Sequence, residues 1–338
     1  MTNVLNTLYV TVPNAFVGRE GQSLKVKVDR ETRLQVPLHH LVSVVCFGQV
    51  LVSAEAMEAC AEAGVSVAFL SHSGRFQARV EGRMSQTATL RRAQYKAADD
   101  ASRSLVLARG CVAGKIANSR VQLRRAARTR AEDVSAISAA ADRLKVLGER
   151  VVNAPGLDEL RGMEGEAAAR YFEVFDTMLG PGDLHFEKRT RRPPENEVNA
   201  LLSFGYALLS QDCMAAVQAA GLDPAVGFLH AERPGRPALA LDLMEEFRSL
   251  VVDRMVLAMV RLAQVNTEAF ERLPTRETRM TDAARKAFLV EYQTRKQDEV
   301  THPLTGQTAT WALMPHIQAR LLARAIRGEA EYVPFLAK

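Results

Sequence analysis

The chain has 338 residues, 47% hydrophobic and 25% charged, which suits a globular protein of one large domain or two ordinary ones. No run of about 18 apolar residues occurs, and MTNVLNTLYVTV lacks a basic start ahead of an apolar core, so neither a membrane span nor a secretion signal is expected. Cys46, Cys60, Cys111 and Cys213 are scattered with no CxxC pair, which fits a reduced, cytoplasmic setting and supports neither a zinc site nor a disulfide framework.

The first 82 residues read as β-rich. Thr7–Val12 is β-prone, Leu24, Val26 and Val28 alternate with Lys25 and Lys27, and Leu34, Val36 and Leu38 alternate again. Val42–Phe47 is a short apolar run fit for a buried strand. Ser53 caps one helix over Ser53–Ala63, and Gly64 stops it. Val65–Leu70 and Arg75–Val80 form a hairpin about a Ser-His-Ser-Gly turn. Near Gly82 the strand signals nearly vanish, and Ala, Leu, Arg and Glu take over. The predicted fold is α+β. A small β-sandwich-like domain, residues 1–85, precedes a larger all-α domain, residues 86–338. Helices are expected at 90–109, 112–130, 133–153, 157–178, 195–220, 242–272, 281–300 and 313–328.

The net charge of +5 is mild, but residues 91–130 hold eleven Lys or Arg against two Asp. Within them KIANSRVQLRRAARTR sets Arg120, Arg124 and Arg128 at helical spacing, with Lys115 and Asn118 before them. Such a stripe suits the phosphates of a polyanion, and equally a solvated helix face. Lys188, Arg189, Arg191 and Arg192 add a second basic patch in the loop 183–192, between Pro181-Gly182 and Pro193-Pro194.

Glu164 lies between Gly162 and Gly165 at the start of the Ala-rich EAAARYF. Glycines there leave room around a carboxylate, although a Glu at a helix start is also ordinary. In GFLHAERPGRPALALDLMEEFR, residues 227–248, the Pro234-Gly235 step predicts a chain reversal between Phe228–His230 and Ala238–Leu241. A helix is expected from Asp242, with Asp242 as its N-cap. Asp242, Glu245 and Glu246 then share a face opposite His230. One imidazole beside carboxylates suits Mg²⁺ or Mn²⁺, while the same acids fit a dipole-favoured first turn.

GKIANSR (114–120), GMEGEAAARYF (162–172), RRPPENEVNALLSFGYALL (191–209), GFLH (227–230), DLMEEFR (242–248) and QARLLARAIRGE (318–329), in this order after a β-rich start, resemble CRISPR-associated protein one. This is the family of CRISPR adaptation integrases and endonucleases. LNTLYVTVPNAF looks like the subtype associated with type I-C systems. The resemblance implies spacer acquisition in antiviral defence. The 3′-hydroxyl of a prespacer attacks a phosphodiester at the leader–repeat boundary, and a second attack completes insertion into the repeat array. It assigns the catalytic metal ligands to Glu164, His230 and Glu245, with Asp242 as rival or supporting residue, and the ion to Mg²⁺ or Mn²⁺. It also implies a homodimer formed through the β-rich domain. Two dimers would flank a dimer of the small CRISPR-associated protein two, a four-plus-two complex on double-stranded DNA. Lys115, Asn118, Arg120, Arg124, Arg189, Arg191, Arg192 and Arg248 are the expected DNA contacts. The other readings are a metal-dependent endonuclease on branched DNA and a basic scaffold without chemistry. The family's PPxDPVN reads Pro193-Pro194-Glu195-Asn196-Glu197-Val198-Asn199 here, a departure confined to the loop.

Overall fold

A computed structural model of the chain describes residues 6–72, 74–80, 88–129 and 134–337. Two compact units divide between Thr87 and Ala88. The first contains β1 (Asn6–Val10), β2 (Phe16–Glu20), β3 (Ser23–Val28), β4 (Glu31–Pro37), β5 (Leu41–Phe47), β6 (Leu51–Val52), α1 (Ala54–Glu62), β7 (Ser66–Leu70) and β8 (Phe76–Val80). They form two four-stranded sheets, ordered β1-β5-β7-β8 and β4-β3-β2-β6. Val10, Val44, Cys46 and Val67 of the first sheet meet Val17, Leu24 and Val26 of the second in one core, which also takes Ala56, Ala59 and Cys60 of α1. The alternation in β3 does what its period predicts: Leu24 and Val26 are buried between two half-buried lysines. Ser53 caps α1 by accepting from the Ala56 amide at 3.2 Å. The alternation in β4 misleads, because Leu34 stands 45% exposed on an edge strand. Asp29 and Arg30 join β3 to β4 with φ of 51° and 70°, the two-residue turn whose twist matches its strands.

The second unit is mostly helical. It contains α2 (Ala88–Asp99), α3 (Ala101–Arg128), α4 (Val134–Val151), α5 (Leu157–Glu173), α6 (Phe175–Leu179), α7 (Glu197–Ala219), α8 (Ala238–Met244), α9 (Arg254–Arg261), α10 (Asp282–Gln297) and α11 (Met314–Ile326). The expected β-rich start followed by a helical region is what forms, with two short hairpins added among the helices: β9 (Phe270–Arg272) pairs with β10 (Thr278–Met280), and β11 (Glu299–Thr301) with β12 (Thr308–Thr310). The break between the first two helices falls at Asp100 rather than near Gly110. The Asp100 carboxylate accepts from the Ser102 and Arg103 amides at 2.9 and 3.1 Å, and a capped start outweighs a mid-helix glycine. α7 is apolar and long enough to cross a membrane by composition, but 67% of its most apolar window is buried inside the unit, as in a core helix.

The single helix expected over 242–272 does not form. α8 begins at Ala238 and ends at Met244, residues 245–247 are turns, Ser249–Asp253 winds as a wider π-type turn, and α9 follows. Pro234-Gly235 does turn the chain, with Gly235 at φ 73°, but its flanks are irregular chain and α8 rather than paired strands.

Candidate functional site

Three helices and one loop meet around Lys115. This residue sits midway along α3, in an otherwise apolar stretch, and is only 9% exposed. Its ammonium contacts Glu164 Oε1 of α5 and lies 2.8 Å from Glu245 Oε2, just past the end of α8. His230 Nε2 is 3.9 Å from Glu245 Oε1. Residues far apart in sequence thus converge on one point. Glu164 lies two turns inside α5, not at a helix start, and a Cβ on Gly162 or Gly165 would meet nothing within 4 Å. The surface beside this carboxylate is open.

Asp242 organises the loop that carries His230. It is not the N-cap of a new helix, because α8 has already begun four residues earlier. Its fully buried carboxylate accepts instead from the backbone amides of Phe228, Leu229 and His230, at 2.6, 3.0 and 3.0 Å. Gly227 makes this close approach possible, since a Cβ there would lie 2.8 Å from Asp242 Oδ2. The fourth bond comes from His230 Nδ1, 2.7 Å from Asp242 Oδ1. Nδ1 is thus the ring nitrogen engaged by a carboxylate within hydrogen-bond distance, while Nε2, 3.9 Å from Glu245 Oε1, is the nitrogen left for an ion. Arg161 of α5 braces the same loop from outside, donating to the Leu229 carbonyl at 3.0 Å.

Two consecutive glutamates meet opposite environments. Burial pushes the Glu245 carboxyl up, but Arg248, Lys115 and His230 together outweigh it and hold it down at about 2. Glu246, equally buried, has only neutral donors in Tyr332, Phe335 and Gln318, and burial lifts it to about 7. Arg248 Nη1 donates to Glu245 Oε1 at 2.7 Å while its guanidinium stacks 4.2 Å from the Tyr206 ring centroid. Tyr206 in turn donates to Asp253 at 2.5 Å.

Among the described residues no group of three His, Cys, Asp or Glu is closed around a cation position. The donor set nevertheless suits a hard divalent ion. Glu164 and Glu245 meet across Lys115, His230 Nε2 lies 3.9 Å from Glu245, and Glu245 Oε2 is a buried acceptor without a hydrogen bond, close to Lys115 but outside hydrogen-bond geometry. The Lys115 ammonium stands between the two acids as their neutralising charge.

The chain matches the family described as CRISPR associated protein Cas1 over residues 8–294. It belongs to that family. It is 44% identical to a CRISPR-associated endonuclease Cas1 of Moorella thermoacetica over 338 residues, 98% of each chain. A second such endonuclease, from Chlorobaculum tepidum, is 44% identical over 341 residues, 99% of each. Among solved structures, the Cas1 protein of Thermotoga maritima superposes with a TM-score of 0.82 at 22% identity, covering 98% of this chain and 99% of its own. A casposase bound to its integration product gives 0.83 at 23% identity, covering 98% and 93%. At that identity the two structures speak for the Cas1 fold alone.

Within this Cas1 fold, Glu164 and Glu245 meet at Lys115, His230 lies 3.9 Å from Glu245, and Asp242 stands behind His230. The residues expected on DNA divide. Arg124 is exposed on α3 and Arg120 half-buried, while Arg191 and Arg192 are exposed in the basic loop. The other four turn inward. Lys115 joins the acidic cluster, and Arg248 pairs with Glu245. Asn118 is fully buried and donates to the Glu246 and Phe335 carbonyls at 2.7 and 2.8 Å. Arg189 donates to Asn199 and Ser203 at 2.7 and 3.0 Å, with Tyr206 beneath it. The lysine of GCVAGKIAN could have been recognised as a buried partner for an acid, because Cys111 and Val112 one turn before it and Ile116 beside it are apolar. Tyr206, Arg161 and Glu246 carried no such signal.

Proposed function

We propose that this Cas1 family member is a CRISPR adaptation integrase, joining the 3′-hydroxyls of short DNA prespacers to the repeat array by phosphodiester transfer. Glu164, His230 and Glu245 would hold Mg²⁺ or Mn²⁺. The observation that carries the reading is the meeting of Glu164 and Glu245 at Lys115, with His230 Nε2 3.9 Å from Glu245 Oε1. When bound, the ion supplies charge to the phosphoryl oxygen and to the departing 3′-oxygen. The chain's own residues do the rest. Asp242 keeps the His230 proton on Nδ1 and fixes the ring. Arg248 holds Glu245 ionised and aimed. Lys115 balances the two acids and presents a positive charge where a phosphate approaches.

Arg120 and Arg124 stand one turn apart on α3, on a different face of the helix from the buried Lys115, and would supply a separate positive surface along a duplex. Arg191 and Arg192 would add phosphate contacts. We place the reaction in the cytoplasm, with the β-rich unit as the homodimer contact and a dimer of the small CRISPR-associated protein two between two such dimers. The N-terminal LNTLYVTVPNAF supports a type I-C assignment.

The test mixes the purified chain, its small partner, a prespacer with free 3′-hydroxyls and a repeat-bearing plasmid, with and without Mn²⁺. Joined prespacer–plasmid product that requires Mn²⁺ is expected. The relatives' name of endonuclease favours one second reading, hydrolysis of branched DNA at the same residues, with water in place of the 3′-hydroxyl. Cut DNA without joined product would select it.

A further inference from the structure

We infer that the segment 330–337 is a positioning strap: it grips Glu246, and through Glu246 it fixes the turn that aims Glu245. What Glu245 does once aimed rests on the function proposed above; the grip itself is a matter of contacts.

The turn carrying Glu245 is weakly held by its own backbone. α8 has ended, and the Glu245 and Phe247 amides bond only three residues back, to Asp242 and Met244 at 3.2 and 3.0 Å. Tight turns of this kind are poorer than α-helical bonds, so side-chain contacts decide their direction. Glu246 supplies those contacts. It is 0% exposed, and three donors converge on its carboxylate. Tyr332 donates its hydroxyl to Oε1, while the Phe335 amide and Gln318 Nε2 each reach Oε2 at 2.7 Å. Two of the three belong to the strap. The third, Gln318, also donates to the Val333 carbonyl at 3.3 Å.

Asn118 of α3 closes the clamp on both partners. Its Nδ2 donates to the Glu246 and Phe335 carbonyls, and its Oδ1 accepts from the Ala337 amide at 2.9 Å. Phe335, 1% exposed, wedges between Phe247, His302 and Trp311 at ring separations of 5.8, 5.5 and 5.4 Å. The strap lies on α3 only because Gly110 and Gly114 leave it a path. A Cβ at either would come within 2.8 Å of Tyr332 or 2.9 Å of Pro334. Lys115, next to Gly114, points to the acidic cluster. One stretch of α3 therefore seats the strap and the site together, and residues 246 and 247 both hang from the strap while 245 faces Lys115. Without the strap, a buried carboxylate would lose most of its donors, and the turn would move to let it reach water.

The experiment compares the full chain with a chain lacking residues 330–338, and with that chain plus a synthetic 330–338 peptide. Hydrogen exchange is followed at the amides of 245–248 and, as reference, of α4. Mn²⁺ affinity is measured by calorimetry. Strap removal should speed exchange at 245–248 at least ~10-fold against less than ~2-fold in α4, and weaken Mn²⁺ binding ~10-fold or more. Misplacing one ligand by about 1 Å has effects of this order. The peptide should restore both. The Tyr332→Phe chain loses one hydroxyl and little else, so it decides the matter should the shortened chain fail to fold; it should remain folded, melting only a few degrees lower, and bind Mn²⁺ ~5-fold or more weakly. Unchanged exchange at 245–248, unchanged Mn²⁺ affinity, or an equal rise of exchange in α4 would each overturn the strap. A wild-type chain that binds no Mn²⁺ would overturn the metal site, and the exchange measurement alone would then decide the strap.

Discussion

Replacing Lys115 by Met removes the ammonium between Glu164 and Glu245 while keeping most of the side-chain volume. The loss falls on Glu245, which is 2% exposed, more than on Glu164, whose side chain is 27% exposed and can turn to water. A unit pair 2.8 Å apart attracts by about 6 kcal/mol at an effective dielectric of about 20. Much of that is offset, because the substitution also ends the cost of burying the ammonium, and Arg248 remains 2.7 Å from Glu245. Breaking one arm of a buried pair costs about 3–5 kcal/mol, and the retained arginine sets the lower figure here. For a unit of this size about 3 kcal/mol lowers the melting temperature by roughly 6–12 °C. The sign with pH follows from Glu245. Its carboxyl sits at about 2 when folded against an ordinary 4.5, so its pairing stabilises the fold above pH 4.5 and is lost as pH falls toward 2. The deficit should be full at pH 7. Mn²⁺ should then stabilise the Lys115→Met chain more than wild type, since no ammonium competes for the acids. Thermal melts of both chains, with and without Mn²⁺, decide it. A variant as stable as wild type, or one that Mn²⁺ stabilises less than wild type, would refute this electrostatic account.

Asp242→Ala strips four donors of their only buried acceptor and should destabilise the chain by about 3 kcal/mol or more in a denaturant titration. Neutralising Arg120 and Arg124 should weaken duplex DNA binding and flatten its salt dependence by about one unit of slope for each phosphate that is no longer neutralised, as read by fluorescence anisotropy. His316 is held down at about 4 by burial, with Asp212 opposing and Lys296 and Arg320 assisting. Its unfolded value is 6.5, so stability is present above pH 6.5 and falls as pH drops toward 4, by up to about 3 kcal/mol; the His316→Gln chain should lose that part of the acid slope.

Local chemistry was the readable part of this chain. Period-2 alternation placed β3, the Ser53 cap placed α1, and the change of composition near Gly82 separated a β-rich from a helical region. Where several local signals competed, the sequence misled: Gly110 drew a helix break that the Asp100 cap takes instead. The acidic turn shows a deeper limit. Asp242, Glu245 and Glu246 look alike in sequence. One caps three amides of a distant loop, one faces Lys115, and one is held by a strap 89 residues later. Which acid does what depends on long-range partners that no spacing encodes. Lys115, Asn118, Arg189 and Arg248 resemble DNA contacts in sequence for the same reason. Basic and amide side chains at helical spacing look alike whether they meet phosphate or a buried carboxylate.

The central claim is that Glu164, His230 and Glu245 hold one divalent ion. Electron spin-echo spectroscopy of the Mn²⁺-loaded chain tests it most directly, since an imidazole nitrogen bound to Mn²⁺ modulates the echo. One imidazole signal is expected in wild type, absent in His230→Ala, with Mn²⁺ affinity reduced in Glu164→Ala and Glu245→Ala. A wild-type spectrum without imidazole nitrogen, or one that His230→Ala leaves unchanged, would contradict it.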